Sequence, residues 1–285
     1  MKKLLAFILS FLLILSTCGV VTFATTDSVA KGGDTEYATI DEAIAAWTNG
    51  TTLTLLADVT LSDVIMLSST EYHILDLGTY TMTAASGKNA IQIVNNGRSS
   101  ASYALTINAD ATNPGGITAT GKACIYYYKS DSTKDRPIIL INNGVFNGSY
   151  SLNCTSNGNT NCPQFWINGG IFNAYVNLTK TLLKVTGGTF NGAINCTGDQ
   201  NAYRLFIGGT FKSWQFMTSG PASNGEQKLT VGNSKNNFDN GVYIDDNGYL
   251  VVGGPVITEA GEKFEASSPN IGNAGFGSYL TYSSA

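Results

Sequence analysis

The chain has 285 residues, only 13% of them charged, and its 16 Lys+Arg against 20 Asp+Glu leave a net charge of −4. That balance carries no basic footprint for nucleic acid. With 32 glycines and only 6 prolines, and with Thr, Asn, Ser and Tyr plentiful, the composition suits short strands and tight turns rather than long helices.

Residues 1–24 open with Lys2 and Lys3, continue through an apolar run from Leu4 to Leu15, and reach small residues around Thr22-Phe23-Ala24. This is the order of a secretory signal, so the segment is set apart from the fold and the remainder is expected to be secreted or held at the cell surface. Cys18, after Leu15-Ser16-Thr17, offers a lipoprotein alternative, although Thr is an unusual residue directly before such a cysteine. No second stretch reaches membrane length, and no membrane span is expected.

Thr39 to Trp47 predicts a helix. Thr39-Ile40-Asp41-Glu42 is a capping box, and Ile40, Ala43, Ile44 and Trp47 fall on one face at helical spacing. Strands are expected next at Thr52 to Leu56, Val64 to Leu67, Ile74 to Leu77, Ala90 to Val94, Leu105 to Ile107 and Ile117 to Thr118. From Arg136 to Met217 one pattern is written four times: LINNGVFN ending at Asn147, WINGGIFN at Asn173, KVTGGTFN at Asn191 and LFIGGTFK at Lys212. Asn113-Pro114-Gly115-Gly116-Ile117 is a degenerate earlier copy. Intervals of roughly twenty residues with short β runs are the signature of a coiled repeat.

Around each motif, alternate apolar residues mark three short strands per repeat, each with one side inward. Phe146, Phe172, Phe190 and Phe211 should pile in one buried row, and Asn147, Asn173 and Asn191 should form a polar ladder just after it. The pairs Gly169-Gly170, Gly187-Gly188 and Gly208-Gly209 fit another corner, where the chain needs conformations closed to other residues. Later, Asn247-Gly248 predicts a hairpin turn between Val242-Tyr243-Ile244 and Tyr249 to Val252. Residues 255–285 read as a terminal cap or tail.

The runs Tyr37 to Ile44, Leu53 to Val59 and Ile74 to Thr83 resemble the opening of bacterial secreted proteins of the pectate-lyase-like superfamily. The resemblance spans roughly 37–254 and implies an all-β, single-domain right-handed parallel β-helix, three strands per turn, with a short N-terminal capping helix. It leaves activity open, because that superfamily mixes polysaccharide lyases and hydrolases with non-catalytic surface proteins. The hydrolase-type members use clustered Asp with Gly-His-Gly; here the one His, His73, has no flanking Gly. The lyase-type members need a calcium-binding acidic cluster; the adjacent pair Asp245-Asp246 reads first as part of the hairpin turn. No catalytic residue, metal site or cofactor is assigned.

Cys124, Cys154, Cys162 and Cys196 follow the signal. Cys154 and Cys196 share an inward column with Leu178 between them, about 10 Å apart, too far for a bridge. A local bridge from Cys154 to Cys162 stays open as an alternative. Asn153-Cys154-Thr155, Asn177-Leu178-Thr179 and Asn195-Cys196-Thr197 match the glycosylation pattern, yet their shared column makes them repeat architecture. Differences in repeat length collect at one corner, after Thr155, Thr179, Thr197 and Thr218, and insertions on one edge of a solenoid often build its binding surface. On the strand leading there, Ser151, Tyr175, Ala193 and Trp214 are expected outward, as are Asn153, Asn177, Asn195 and Phe216. Tyr126-Tyr127-Tyr128 should split between core and surface.

Flat aromatics beside amides suit sugar rings. The candidate binding residues are therefore Tyr175, Trp214, Phe216, Asn153, Asn177 and Asn195. The expected function is a non-catalytic surface or adhesion module that presents this face to a glycan or a protein. Two alternatives remain: a divergent polysaccharide lyase or hydrolase, and a structural protein that associates with copies of itself.

Overall fold

Apolar residues at every second position fold as strands when their inward side chains find a neighbour one strand away, and each motif copy supplies such a neighbour to the next. The computed structural model describes residues 27–97, 101–129, 136–156, 163–179, 181–197, 204–206, 208–212, 236–238, 242–244 and 250–252. Among them the protein is all-β with one helix, Ile40–Ala46, and its strands fall in two sheets that are mostly parallel. The signal segment, the tail 255–285 and Leu229 to Val231 lie outside the described residues.

The strands form three files. The first contains Thr52–Leu55, His73–Asp76, Ser102–Asn108, Pro137–Ile141, Gln164–Ile167, Leu182–Val185, Arg204–Phe206 and Asn236–Phe238, each parallel to the next. The second runs through Val59–Thr60, Thr81–Thr83, the start of Gly116–Lys129, the start of Val145–Ser156, Ile171–Phe172, Thr189–Phe190 and Gly209–Phe211. The third comprises Ile65–Ser68, Ile91–Val94, the later parts of the two long strands, Tyr175–Thr179 and Ile194–Thr197. The chain visits the files in that order again and again. Two turns depart from the expectation of three short strands: Gly116–Lys129 and Val145–Ser156 continue from the second file into the third. A register shift between Ala119 and Ala123 and another between Tyr150 and Leu152 let them round the corner without a break.

In the second file Val59, Met82, Ile117, Phe146, Phe172, Phe190 and Phe211 are register partners in succession. The four rings stack near-parallel, with centroids 5.0, 4.7 and 4.8 Å apart, close to the strand spacing of about 4.8 Å. All four are fully buried, and each such burial stabilises by about 1.5–3 kcal/mol before packing terms.

The corner before this file explains the glycine pairs. Gly170 has φ 105°, and a Cβ at Gly169 would stand 2.6 Å from the Asn142 carbonyl oxygen of the turn below. One glycine supplies the conformation and the other lets the backbones approach. The corner after the file carries the expected amides: Asn173 Nδ2 donates to Asn147 Oδ1 at 2.7 Å, and Asn191 Nδ2 to Asn173 Oδ1 at 2.6 Å. A second ladder, not foreseen, follows the first file. Asn142 Nδ2 donates to Asn108 Oδ1 and Asn168 Nδ2 to Asn142 Oδ1, each at 2.8 Å, and Thr186 Oγ1 donates to Asn168 Oδ1 at 2.9 Å.

An edge at each end is paired by an added hairpin. The helix starts at Thr39 through the expected capping box and turns Ile40, Ala43 and Trp47 inward. Trp47 anchors it, with Nε1 donating to Thr51 O at 3.1 Å and its ring edge-on to His73 at 5.0 Å. Beside it a hairpin missed in the sequence, Ala30–Gly32 with Thr35–Tyr37, lies antiparallel on Thr52–Leu55. Its turn residues Gly33-Asp34 were a readable signal. At the far end Val242–Ile244 and Leu250–Val252 pair antiparallel as expected, and the latter closes onto Gly209–Phe211.

Candidate functional site: an aromatic and amide face on the third file

Alternation in the third file sends two columns inward. Ile65, Ile91, Ile125, Leu152, Val176 and Ile194 form one; Leu67, Ile93, Tyr127, Cys154 and Leu178 form the other, with Cys196 in backbone register with Leu178. Cys154 is buried; it accepts a hydrogen bond from Thr181 Oγ1 at 3.4 Å. Cys162 lies outside the described residues. Cys124 is buried too, its thiol donating toward Ile117 O and Asn147 O, each at 3.2 Å, across the register shift. Burial pushes that thiol up to about 12, against hydrogen bonds that lower it, which makes it an unreactive packing group.

The outward columns form the site. One is Met66, Gln92, Tyr126, Asn153 and Asn177, and the next is Ser68, Val94, Tyr128, Thr155 and Thr179. Asn177 Nδ2 donates to Asn153 Oδ1 at 2.9 Å, which hydrogen-bonds the first two members of the expected amide row. Tyr126 and Tyr128, two apart on one strand, hold their rings 8° from parallel with centroids 6.4 Å apart. Partial burial raises the Tyr126 phenol above its usual range, with repulsion from Tyr128 and Cys154 adding to the shift. Tyr127 is buried between them in sequence, so the triplet splits as expected.

Tyr175 is outward and 55% exposed, in agreement with its expected position. Its neighbour is not Ser151. The register shift pairs Tyr175 with Tyr150, and the rings sit 6.4 Å apart. Ser151 is fully buried: its hydroxyl is shared between Phe146 O at 3.1 Å and Ala174 O at 3.3 Å and accepts from Ala174 N at 3.1 Å. The bulge leaves backbone groups without ladder partners, and a serine turned inward satisfies them. Of the candidate residues, Tyr175, Asn153 and Asn177 share this face. Asn195 stands in register with Asn177, while Trp214 and Phe216 lie outside the described residues, as does most of the variable corner.

Tyr126, Tyr128 and Tyr150 escaped the sequence reading as site residues. Alternation could have placed Tyr126 and Tyr128 outward, but nothing local joins them to Asn153 and Tyr175. The first file has aromatics of its own: Tyr103 lies 5.9 Å from Tyr72 and 5.8 Å from Trp166, the latter edge-to-face at 87°, with Lys184 Nζ 5.5 Å above Trp166. Tyr72 is tilted 41° to Tyr103, much as Tyr150 is tilted 47° to Tyr175, and of these contacts only Tyr103–Trp166 is edge-on. Among the described residues, no three His, Cys, Asp or Glu side chains are grouped to hold a metal ion, and no helix is long and apolar enough to cross a membrane. Comparison with family models, curated proteins and solved structures finds no match.

Proposed function

We propose that this chain is an exported right-handed parallel β-helix of the pectate-lyase-like type, three strands per turn, serving as a non-catalytic module that binds a glycan on its third file. The repeated passage through three parallel files supports the coil, and right-handed crossovers are the rule where parallel strands are joined. One observation carries the functional reading. Tyr128 and Tyr175, 44% and 55% exposed, flank a hydrogen-bonded amide pair on one sheet face.

A sugar ring has an apolar face and a rim of hydroxyls. Tyrosines take the first, and Asn amides, each with two donors and two acceptor lone pairs, take the second. The cost of desolvating an amide here is offset by its hydrogen bonds to sugar hydroxyls and is far smaller than that of an ion. The test is affinity electrophoresis or a glycan array with the purified chain, compared with the Tyr128→Ala/Tyr175→Ala double variant. At about 0.5–1.5 kcal/mol per aromatic contact, the double variant should bind at least several-fold more weakly with an unchanged melting temperature. Equal binding by both proteins removes this face as the site. Release of reducing ends or unsaturated products would instead establish the polysaccharide-cleaving alternative.

A further inference from the structure

We infer that the glycan taken by this face is an uncharged polysaccharide rather than an acidic one, an inference that rests on the glycan-binding reading above. The argument is the chemistry of the columns. Met66, Gln92, Tyr126, Asn153 and Asn177 make one, and Ser68, Val94, Tyr128, Thr155 and Thr179 the other, with Tyr150 and Tyr175 beside them. None of these side chains is ionised at neutral pH. The chain has 16 cationic and 20 acidic residues to distribute, and these columns received neither kind.

An acidic polymer would fare badly here. Each carboxylate laid against the sheet would lose hydration without a cation to replace it. It would also meet the negative face of the tyrosine rings. The cation that does stand over an aromatic ring, Lys184 above Trp166, belongs to the first file. A neutral chain meets no such penalty. Its hydroxyls exchange water for amides, threonine hydroxyls and phenols, and its apolar ring faces cover tyrosine. Successive members of each column stand about 4.8 Å apart, so an extended polymer lying along the file meets an uncharged side chain at each strand.

Salt separates the two ligand classes, because attraction between charges is screened while stacking and neutral hydrogen bonds are not. The full chain is run through native gels cast with a neutral glucan, xylan or mannan, and in parallel with polygalacturonate or alginate, each at low and high sodium chloride. The expected result is retardation by at least one neutral polymer, unchanged by salt, and at least several-fold weaker in Tyr128→Ala/Tyr175→Ala. Retardation only by acidic polymers, fading with salt, overturns the uncharged-ligand inference while leaving the glycan reading in place. Retardation by neither class overturns the glycan reading itself, and this inference falls with it. Circular dichroism of the double variant, expected to match the parent, keeps loss of folding from passing as loss of binding.

Discussion

The stacked rings of the second file invite a comparison between two substitutions that differ in a single contact. Phe190 lies between Phe172 and Phe211, at 4.7 and 4.8 Å. Phe146 has Phe172 on one side at 5.0 Å and pairs with Ile117 on the other. Both side chains are fully buried, so changing either to Leu loses the same burial and leaves a similar misfit, about 1 kcal/mol for a swap of comparable volume. Ring–ring contact adds about 0.5–1.5 kcal/mol per pair. Phe146→Leu loses one pair and should cost about 1.5–2.5 kcal/mol; Phe190→Leu loses two and should cost about 2–4 kcal/mol. Urea unfolding followed by circular dichroism measures both, provided the slope with denaturant is unchanged, since a solenoid can unravel in sections. Losses that agree within about 0.3 kcal/mol, close to the scatter of independent sites, would mean that the rings only fill space and that their stacking adds nothing.

Further outcomes follow from the corners and from one exposed turn. Gly170→Ala places a Cβ 2.9 Å from Gly144 O at φ 105° and should cost about 2–3 kcal/mol. Gly87→Ala, at φ 70° with nothing within 4 Å, should cost about 1 kcal/mol; equal melting temperatures for the two variants would refute the close approach. Asp110 accepts from the backbone N–H groups of Asn113 and Thr112, and these hold its carboxyl below the usual 3.8. A depressed folded-state value means stability present above the unfolded pKa and lost as pH falls through the folded one. Asp110→Asn should therefore melt lower than the parent near neutrality and equal it in strong acid. A gap that persists unchanged to low pH would assign the effect to shape rather than charge.

Legibility in the sequence followed the range of each interaction. The capping box at Thr39 and Glu42 and the apolar face of Ile40, Ala43 and Trp47 are local, and the helix stands where the pattern put it. The Phe row and its Asn ladder were readable because four copies of one octapeptide align without gaps, so similar residues occupy similar places in successive turns. Ser151 shows where that logic stops. Counting alternate residues assumes an unbroken strand, and the register shift between Tyr150 and Leu152 reverses the facing at that position. The same shift hid Tyr150 as the neighbour of Tyr175. The ladder through Asn108, Asn142 and Asn168 was overlooked although Asn142 and Asn168 share the third place of the aligned copies, because that place changes to Thr186 and then Ile207 in the next two.

The paired edges bear on which surface is left to act. Parallel coils expose unpaired strand edges at each end, and such edges are templates for joining another chain. Here the first file is covered at its start by Ala30–Gly32 and Thr35–Tyr37, and this outermost strand is three residues long and carries Glu36. Brevity and charge at an edge discourage pairing with a second copy. At the other end of the second file, Leu250–Val252 reverses direction and takes up the edge of Gly209–Phe211. Those two edges are occupied, while Asn236–Phe238 and Val59–Thr60 end their files among the described strands; the long sides are the other surfaces. Of these, the third file displays exposed tyrosines beside hydrogen-bonded amides, whereas on the first file Tyr103 meets Trp166 edge-on and Lys184 stands over Trp166. Under the proposed glycan-binding reading, recognition would run along the third file, and adding or removing a repeat would change how much of a polymer is held without changing the chemistry that holds it.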